Sequence, residues 1–177
     1  MLSLNDTLIA MTDLETSGDV FGLHEILEIG VVVFNQKNFE IIDTLNIKVK
    51  PLNIKNAIPA ALERNGYNEK DWSEAVSLGE AMEKYAEKTT GCIFSAYNAT
   101  FDWGFVNTAF KQTKVQNKMD YHRLDVLSIA WEKGLKNSPK WNLSVACEIF
   151  GVLPEPMPHS ALNGAMTAYE LFKKLSD

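Results

Sequence analysis

Asp13 and Glu15 stand two apart, directly after the short apolar run TLIAMT at residues 7–12. In extended backbone, residues i and i+2 point to the same face, with Cα atoms roughly 6–7 Å apart. Two carboxylates held side by side repel each other unless a proton or a cation intervenes. Oxygen-only donors that project together suit a hard divalent ion, Mg²⁺ or Mn²⁺, and not zinc. Thr16, Ser17 and Gly18 follow at once, and a glycine in a turn lets backbone amides come close to a ligand. With nothing else to join it, the pair would be an ordinary surface feature at a strand end.

Two other groups carry complementary chemistry. Asp102 lies in YNATFDWG (97–104) and opens a helix after a strand, near the positive end of the helix macrodipole, where a carboxylate is favoured. His159 lies in PEPMPHSALNG, at a Pro-rich junction between loop and helix. An imidazole with an ordinary pKa near 6.5, on so restrained a backbone, suits proton abstraction from an attacking water. His24, in a loop, and His122, beside Arg123, read as residues without such a role.

Bringing these groups together requires strands that end where helices begin. The runs at 7–12, 25–35 (EILEIGVVVFN) and 41–49 are strand-like, and their short polar or Gly-containing links predict an antiparallel meander. Residues 77–89 predict a helix, with Ser77 and Glu80 spaced as a capping box. A fourth strand is expected over 92–97 (CIFSAY) and a short fifth over 121–124, just before Asp125. Helical spacing covers 101–110, 126–135, 143–150 and 161–175, most clearly in Ala161, Ala165, Ala168, Phe172 and Leu175. Asp125 is expected to cap the helix that follows it. This order predicts one α/β domain over 1–177, a mixed sheet covered by helices.

Composition narrows the function classes. The 177 residues suffice for about one core. The 46% apolar and 23% charged content is that of an ordinary globular chain, excluding disordered and fibrous classes. A net charge of −6 excludes a uniformly basic nucleic-acid wrapper. Residues 111–140 nevertheless carry seven basic side chains against three acidic ones, either a solvated surface or a local phosphate-tracking face. Cys92 and Cys147 fall in no metal or redox motif, which points to a reducing compartment. The opening MLSLNDTLIA, with Asp6, lacks the basic start of a signal peptide. No run approaches the ~18 apolar residues of a bilayer span. The expectation is a cytoplasmic protein with no membrane partner.

Five motifs together, DLETSG (13–18), EILEIGVVVF (25–34), YNATFDWGF (97–105), RLDVLSIAW (123–131) and HSALNGAMTAYELF (159–172), resemble the DEDDh branch of the DnaQ-like 3′-to-5′ exonucleases in order and spacing. The resemblance covers nearly the whole chain. It implies an RNase H-like fold, a five-stranded mixed sheet (a three-strand antiparallel meander plus parallel strands) flanked by helices. It implies two divalent ions, Mg²⁺ or Mn²⁺, and a substrate that is the 3′ end of single-stranded DNA or RNA, with a homodimer among the expected states. By that analogy Asp13 would bridge both metals, Glu15 would hold one, and Asp102 would act mostly through metal-bound water. His159 would deprotonate the water that attacks the terminal phosphodiester. Thr16, Ser17, Asn98 and Phe101 would lie against the terminal nucleotide.

One position departs from the pattern. The last motif of the family reads H-x-A-x-x-D, and counting from His159 its Asp, a metal ligand, falls on Gly164. Asn163 cannot take its place, because successive helix positions point about 100° apart. A neutral amide is also a weaker ligand for a hard cation. Glycine within a helix costs about 1 kcal/mol relative to alanine, so it brings no evident stability gain there. Three readings follow: an exonuclease of reduced activity, a catalytically impaired pseudo-exonuclease that binds nucleic-acid ends or a protein partner, and an interaction module without a nucleic-acid role.

Overall fold

A computed structural model describes residues 7–176. The stretch through Asp6, on which the signal-peptide expectation rests, and Asp177 lie outside the described residues. Strands β1 (Leu8–Thr16), β2 (Ile26–Asn35) and β3 (Ile41–Lys48) form the expected meander. Helices α1 (Pro59–Asn65) and α2 (Leu78–Lys88) precede β4 (Ile93–Ala96). Then come α3 (Ala99–Thr113), β5 (Arg123–Asp125), α4 (Val126–Lys133), α5 (Leu143–Phe150) and α6 (Ala161–Ser176). The sheet order is β3-β2-β1-β4-β5, with β4 parallel to β1 and β5 parallel to β4. This is the five-stranded mixed sheet of the RNase H-like fold, flanked by helices.

Helices cover both faces of the sheet, which is why the VVV run of β2 is buried throughout instead of alternating. On one face Ala10, Val31 and Val33 pack with Met82, Tyr85, Phe105 and Phe110 of α2 and α3. On the other, Ile9, Met11, Val32 and Phe34 pack with Ala165, Ala168, Tyr169 and Phe172 of α6. The period of two along a strand then decides where the polar residues go. Positions 13 and 15 continue the 9, 11 series and face α6. Gly30 and Glu28, directly opposite them on β2, face it too.

α6 approaches the sheet closely at this point. A Cβ on Gly30 would lie 2.0 Å from the backbone carbon of Ala161, so only glycine permits the crossing. Elsewhere the local signals act largely as expected. The Ser77 hydroxyl accepts from the Glu80 amide at the start of α2, while the Glu80 carboxylate pairs with Lys84, so one half of the capping box forms. Asp125 caps α4 through the Ser128 amide and also accepts from the Ala99 amide, joining the starts of α3 and α4. The fifth strand begins two residues later than expected, at Arg123, because the Asp120 and His122 segment is a turn closed by the Asp120 carboxylate. No helix among the described residues is long and apolar enough to cross a membrane.

Candidate active site

β1 carries its carboxylates to the edge where it meets parallel β4, and α3 starts immediately beyond β4. Asp102, in the first turn of α3, accepts hydrogen bonds from its own amide and from the amide of Leu14. That second bond ties the helix start to β1 between Asp13 and Glu15. A register shift between Glu15 and Thr16 interrupts the β1–β2 pairing just past the acids, before its last pair, Thr16 with Ile26; such irregularities re-aim side chains beside functional sites.

Asp13, Glu15, Asp102 and His159 line one cavity of about 350 Å³, together with Asn98, Phe101, Arg64, Tyr97 and Glu155. Two larger hollows, of about 510 and 620 Å³, lie elsewhere and each gathers a single carboxylate. Size therefore does not mark the chemistry; the convergence of acids does. The start of α5 closes another wall with Leu143 and Ser144, held by a 2.7 Å hydrogen bond from the Tyr97 hydroxyl to the Trp141 carbonyl.

Burial and mutual repulsion dominate the electrostatics. Asp13 is pushed well above the usual carboxylate range, first by burial and then by the charges of Asp102, Glu15, Glu155 and Glu28. Glu15 is pushed up to about 8 by burial and by Glu155 and Glu28, with Arg64 opposing. Asp102 rises to about 7, mainly through burial, and its two backbone hydrogen bonds pull the other way. Burial also raises Glu28, which accepts from Asn46 and from the Ala161 amide, and Glu155. Four carboxylates thus face one another in a cleft whose single Lys or Arg side chain is Arg64. Such a set lowers its own charge by taking up protons or by taking up cations.

The donor set fits divalent cations. Its atoms are carboxylate oxygens with one imidazole, and ligand atoms of Glu15, Glu155 and His159 all lie within 4.8 Å of one another. No thiolate takes part, because Cys92 and Cys147 are both buried and neither lines the cavity.

Thr16 and Ser17 do not line the cavity. The Thr16 hydroxyl donates to the Gly18 carbonyl at 2.7 Å and the Ser17 hydroxyl accepts from the Glu25 amide at 2.8 Å. Both hydroxyls shape the turn after β1. His24 is buried, its Nδ1 accepting from the Val20 amide, and His122 is exposed beside Asp120; neither reaches the cleft. No residue of the basic 111–140 segment lines the cavity. Within it Arg123 stacks 3.5 Å from the centre of the Trp103 ring, which removes one cation from a phosphate-tracking face.

Residue 164 lies in α6 with its backbone against β1, while Asn163 is exposed and directed away. Two cleft residues carry no sequence signal. Arg64 lies in the last turn of α1, and its carbonyl accepts from the His159 amide at 3.1 Å. Glu155 sits four residues before His159 in a loop where no helical period links them. Its carboxylate lies 3.0 Å from the His159 Nδ1 and accepts from the Ser160 amide.

Comparison with known proteins gives a consistent result. A family model described as an exonuclease matches residues 11–172. The chain is 31% identical over 183 residues to the 3′-5′ DNA exonuclease Cap18 of Escherichia coli, covering 96% of this chain and 94% of that protein. Exonuclease I of E. coli in complex with a dT13 oligonucleotide superposes with a TM-score of 0.79 at 15% identity, over 96% of this chain and 41% of that one. The nuclease domain of 3′hExo, a DEDDh family member bound to rAMP, superposes with a TM-score of 0.76 at 18% identity, over 97% and 93%.

Proposed function

Since the chain belongs to the exonuclease family whose model spans residues 11–172, we propose that it hydrolyses phosphodiester bonds at the 3′ end of single-stranded DNA or RNA. The observation that carries this reading is the meeting of Asp13, Glu15, Asp102 and His159 in one cavity, from three separate parts of the chain. Asp13, Glu15 and Asp102 would hold Mg²⁺ or Mn²⁺. Two such ions, when bound, would stabilise the attacking and leaving oxygens of an in-line displacement.

The chain's own residues do the rest. His159, a third exposed at the cleft rim, accepts the proton of the attacking water. Asn98 and Phe101, at the start of α3, offer an amide and a ring face to the terminal nucleotide; base stacking on an aromatic ring is sequence-tolerant and worth about 1–3 kcal/mol per base. Arg64 offers the cleft's one guanidinium to a phosphate. The oligonucleotide held by the structurally similar exonuclease I supports a single-stranded substrate. Two buried, unpaired thiols support a reducing compartment.

The test uses 5′-labelled single-stranded DNA and RNA with Mg²⁺ or Mn²⁺. Stepwise shortening is expected, and Asp13→Ala abolishes it. Wild-type protein that shortens neither substrate at any concentration sinks the proposal. A second reading, a pseudo-exonuclease, is favoured by Gly164, which offers no acid beside Asp13. It predicts salt-sensitive oligonucleotide binding without turnover.

A further inference from the structure

We propose that Glu155 is a positioning residue that fixes the tautomer of His159, leaving the imidazole Nε2 bare for the attacking water. The Glu155 side chain is 7% exposed and its Oε2 lies 3.0 Å from His159 Nδ1. Its other oxygen accepts from the Ser160 amide at 2.9 Å. An ionised carboxylate can only accept, so the neutral imidazole beside it carries its single proton on Nδ1. The second nitrogen, Nε2, is then the acceptor, which is the form a general base requires.

The backbone is restrained on both sides of the ring. The His159 amide donates to the Arg64 carbonyl at 3.1 Å, fixing the residue against the end of α1. The Ser160 amide is held by Glu155 and the Ala161 amide by Glu28, so two buried carboxylates satisfy the opening amides of α6. Both oxygens of Glu155 are therefore engaged in holding this junction. That separates its role from a simple replacement for the acid that position 164 lacks. Once His159 has taken a proton, the same carboxylate faces an imidazolium and stabilises it.

The tautomer is read without metal or substrate. Nitrogen-15 NMR of the metal-free full chain, above the usual imidazole titration range near 6.5, should show His159 protonated at Nδ1, assigned by loss of the signal in His159→Asn. Glu155→Ala should move the proton to Nε2, and so should Glu155→Gln, whose one amide oxygen is taken by the Ser160 amide and whose NH2 then faces Nδ1 as a donor. Only the kinetic arm rests on the proposed exonuclease reading. There, Glu155→Ala should lower kcat about 10–100-fold, the scale for groups that orient a site histidine, with KM little changed and no rescue by Glu155→Gln. A wild-type His159 protonated at Nε2 overturns the inference without any variant, so a misfolded Glu155→Ala does not protect it. An unchanged tautomer or an unchanged kcat in Glu155→Ala overturns it as well. The expected tautomers in a protein that trims no 3′ end would leave the positioning intact and remove the exonuclease reading instead.

Discussion

The Asp13 carboxylate fills the space into which a side chain at position 164 would project: a Cβ on Gly164 would lie 2.3 Å from Asp13 Oδ2 and 2.7 Å from its Cγ. The glycine and the aspartate are thus fitted to each other across the β1–α6 contact. Any side chain at 164 requires the Asp13 carboxylate to turn away from α6, toward the remaining acids of the cleft.

Gly164→Asp should therefore have two opposed effects. In the metal-free protein it adds a carboxylate to a buried acidic group, and Tm should fall by several degrees. With Mn²⁺ present it supplies a further hard oxygen ligand, and calorimetric affinity should rise at least about tenfold, the lower scale for restoring a group that supports a metal site. Thermal melts and titration of the same preparation decide the matter; an unchanged Tm together with unchanged affinity rules out this placement of residue 164.

Stability of the metal-free protein should depend on pH in a defined direction. Glu15 rises from 4.5 to about 8 and Asp102 from 3.8 to about 7, each chiefly through burial. A carboxyl raised on folding binds its proton more tightly in the native state, so stability is fully present below the unfolded value and is lost as pH climbs through the folded one. Tm should decline between about pH 4 and pH 8, and saturating Mg²⁺ or Mn²⁺ should flatten the decline. Stability that instead increases across this window would contradict the assignment.

Asp13→Asn preserves shape and removes a carboxyl that burial and its acidic neighbours make costly on folding. It should abolish cleavage yet raise the metal-free Tm near neutral pH, by roughly 2–4 °C for each kcal/mol relieved. Loss of activity accompanied by a lower Tm would mean that the charge supports the fold.

Arg64→Gln should weaken oligonucleotide binding with little effect on kcat. Each phosphate neutralised on a single strand contributes about −0.7 to the slope of log K against log salt. A variant whose slope is shallower by about that amount fits a phosphate contact; an identical slope assigns Arg64 to local structure alone.

Asp125→Ala removes acceptors for the Ser128 and Ala99 amides at once. The loss should be about 1–3 kcal/mol, since a single cap is worth about 0.5–2. Denaturant melts would show it, and a cost below a few tenths would discount the cap.

Much of this protein is written locally in its chain. Short β-prone apolar runs specify the strands, the spacing of Ala161, Ala165, Ala168 and Phe172 specifies α6, and Ser77 and Asp125 mark helix starts. The acids and His159 belong to short motifs of fixed spacing, so their presence, and the absence of an acid at 164, can be read from the order of residues. Glu155 and Arg64 could not be found this way, because they reach the cleft through a loop and a helix end whose positions depend on packing against α6 and β1. Nor could the sequence show that the Thr16 and Ser17 hydroxyls close a turn, since a hydroxyl's partner is decided by which backbone groups the fold leaves beside it. Residue types and periods are local properties of the chain. The approach of α6 to β1, which lets Asp13 occupy the space beside Gly164 and pairs Glu155 with His159, arises only when distant segments pack.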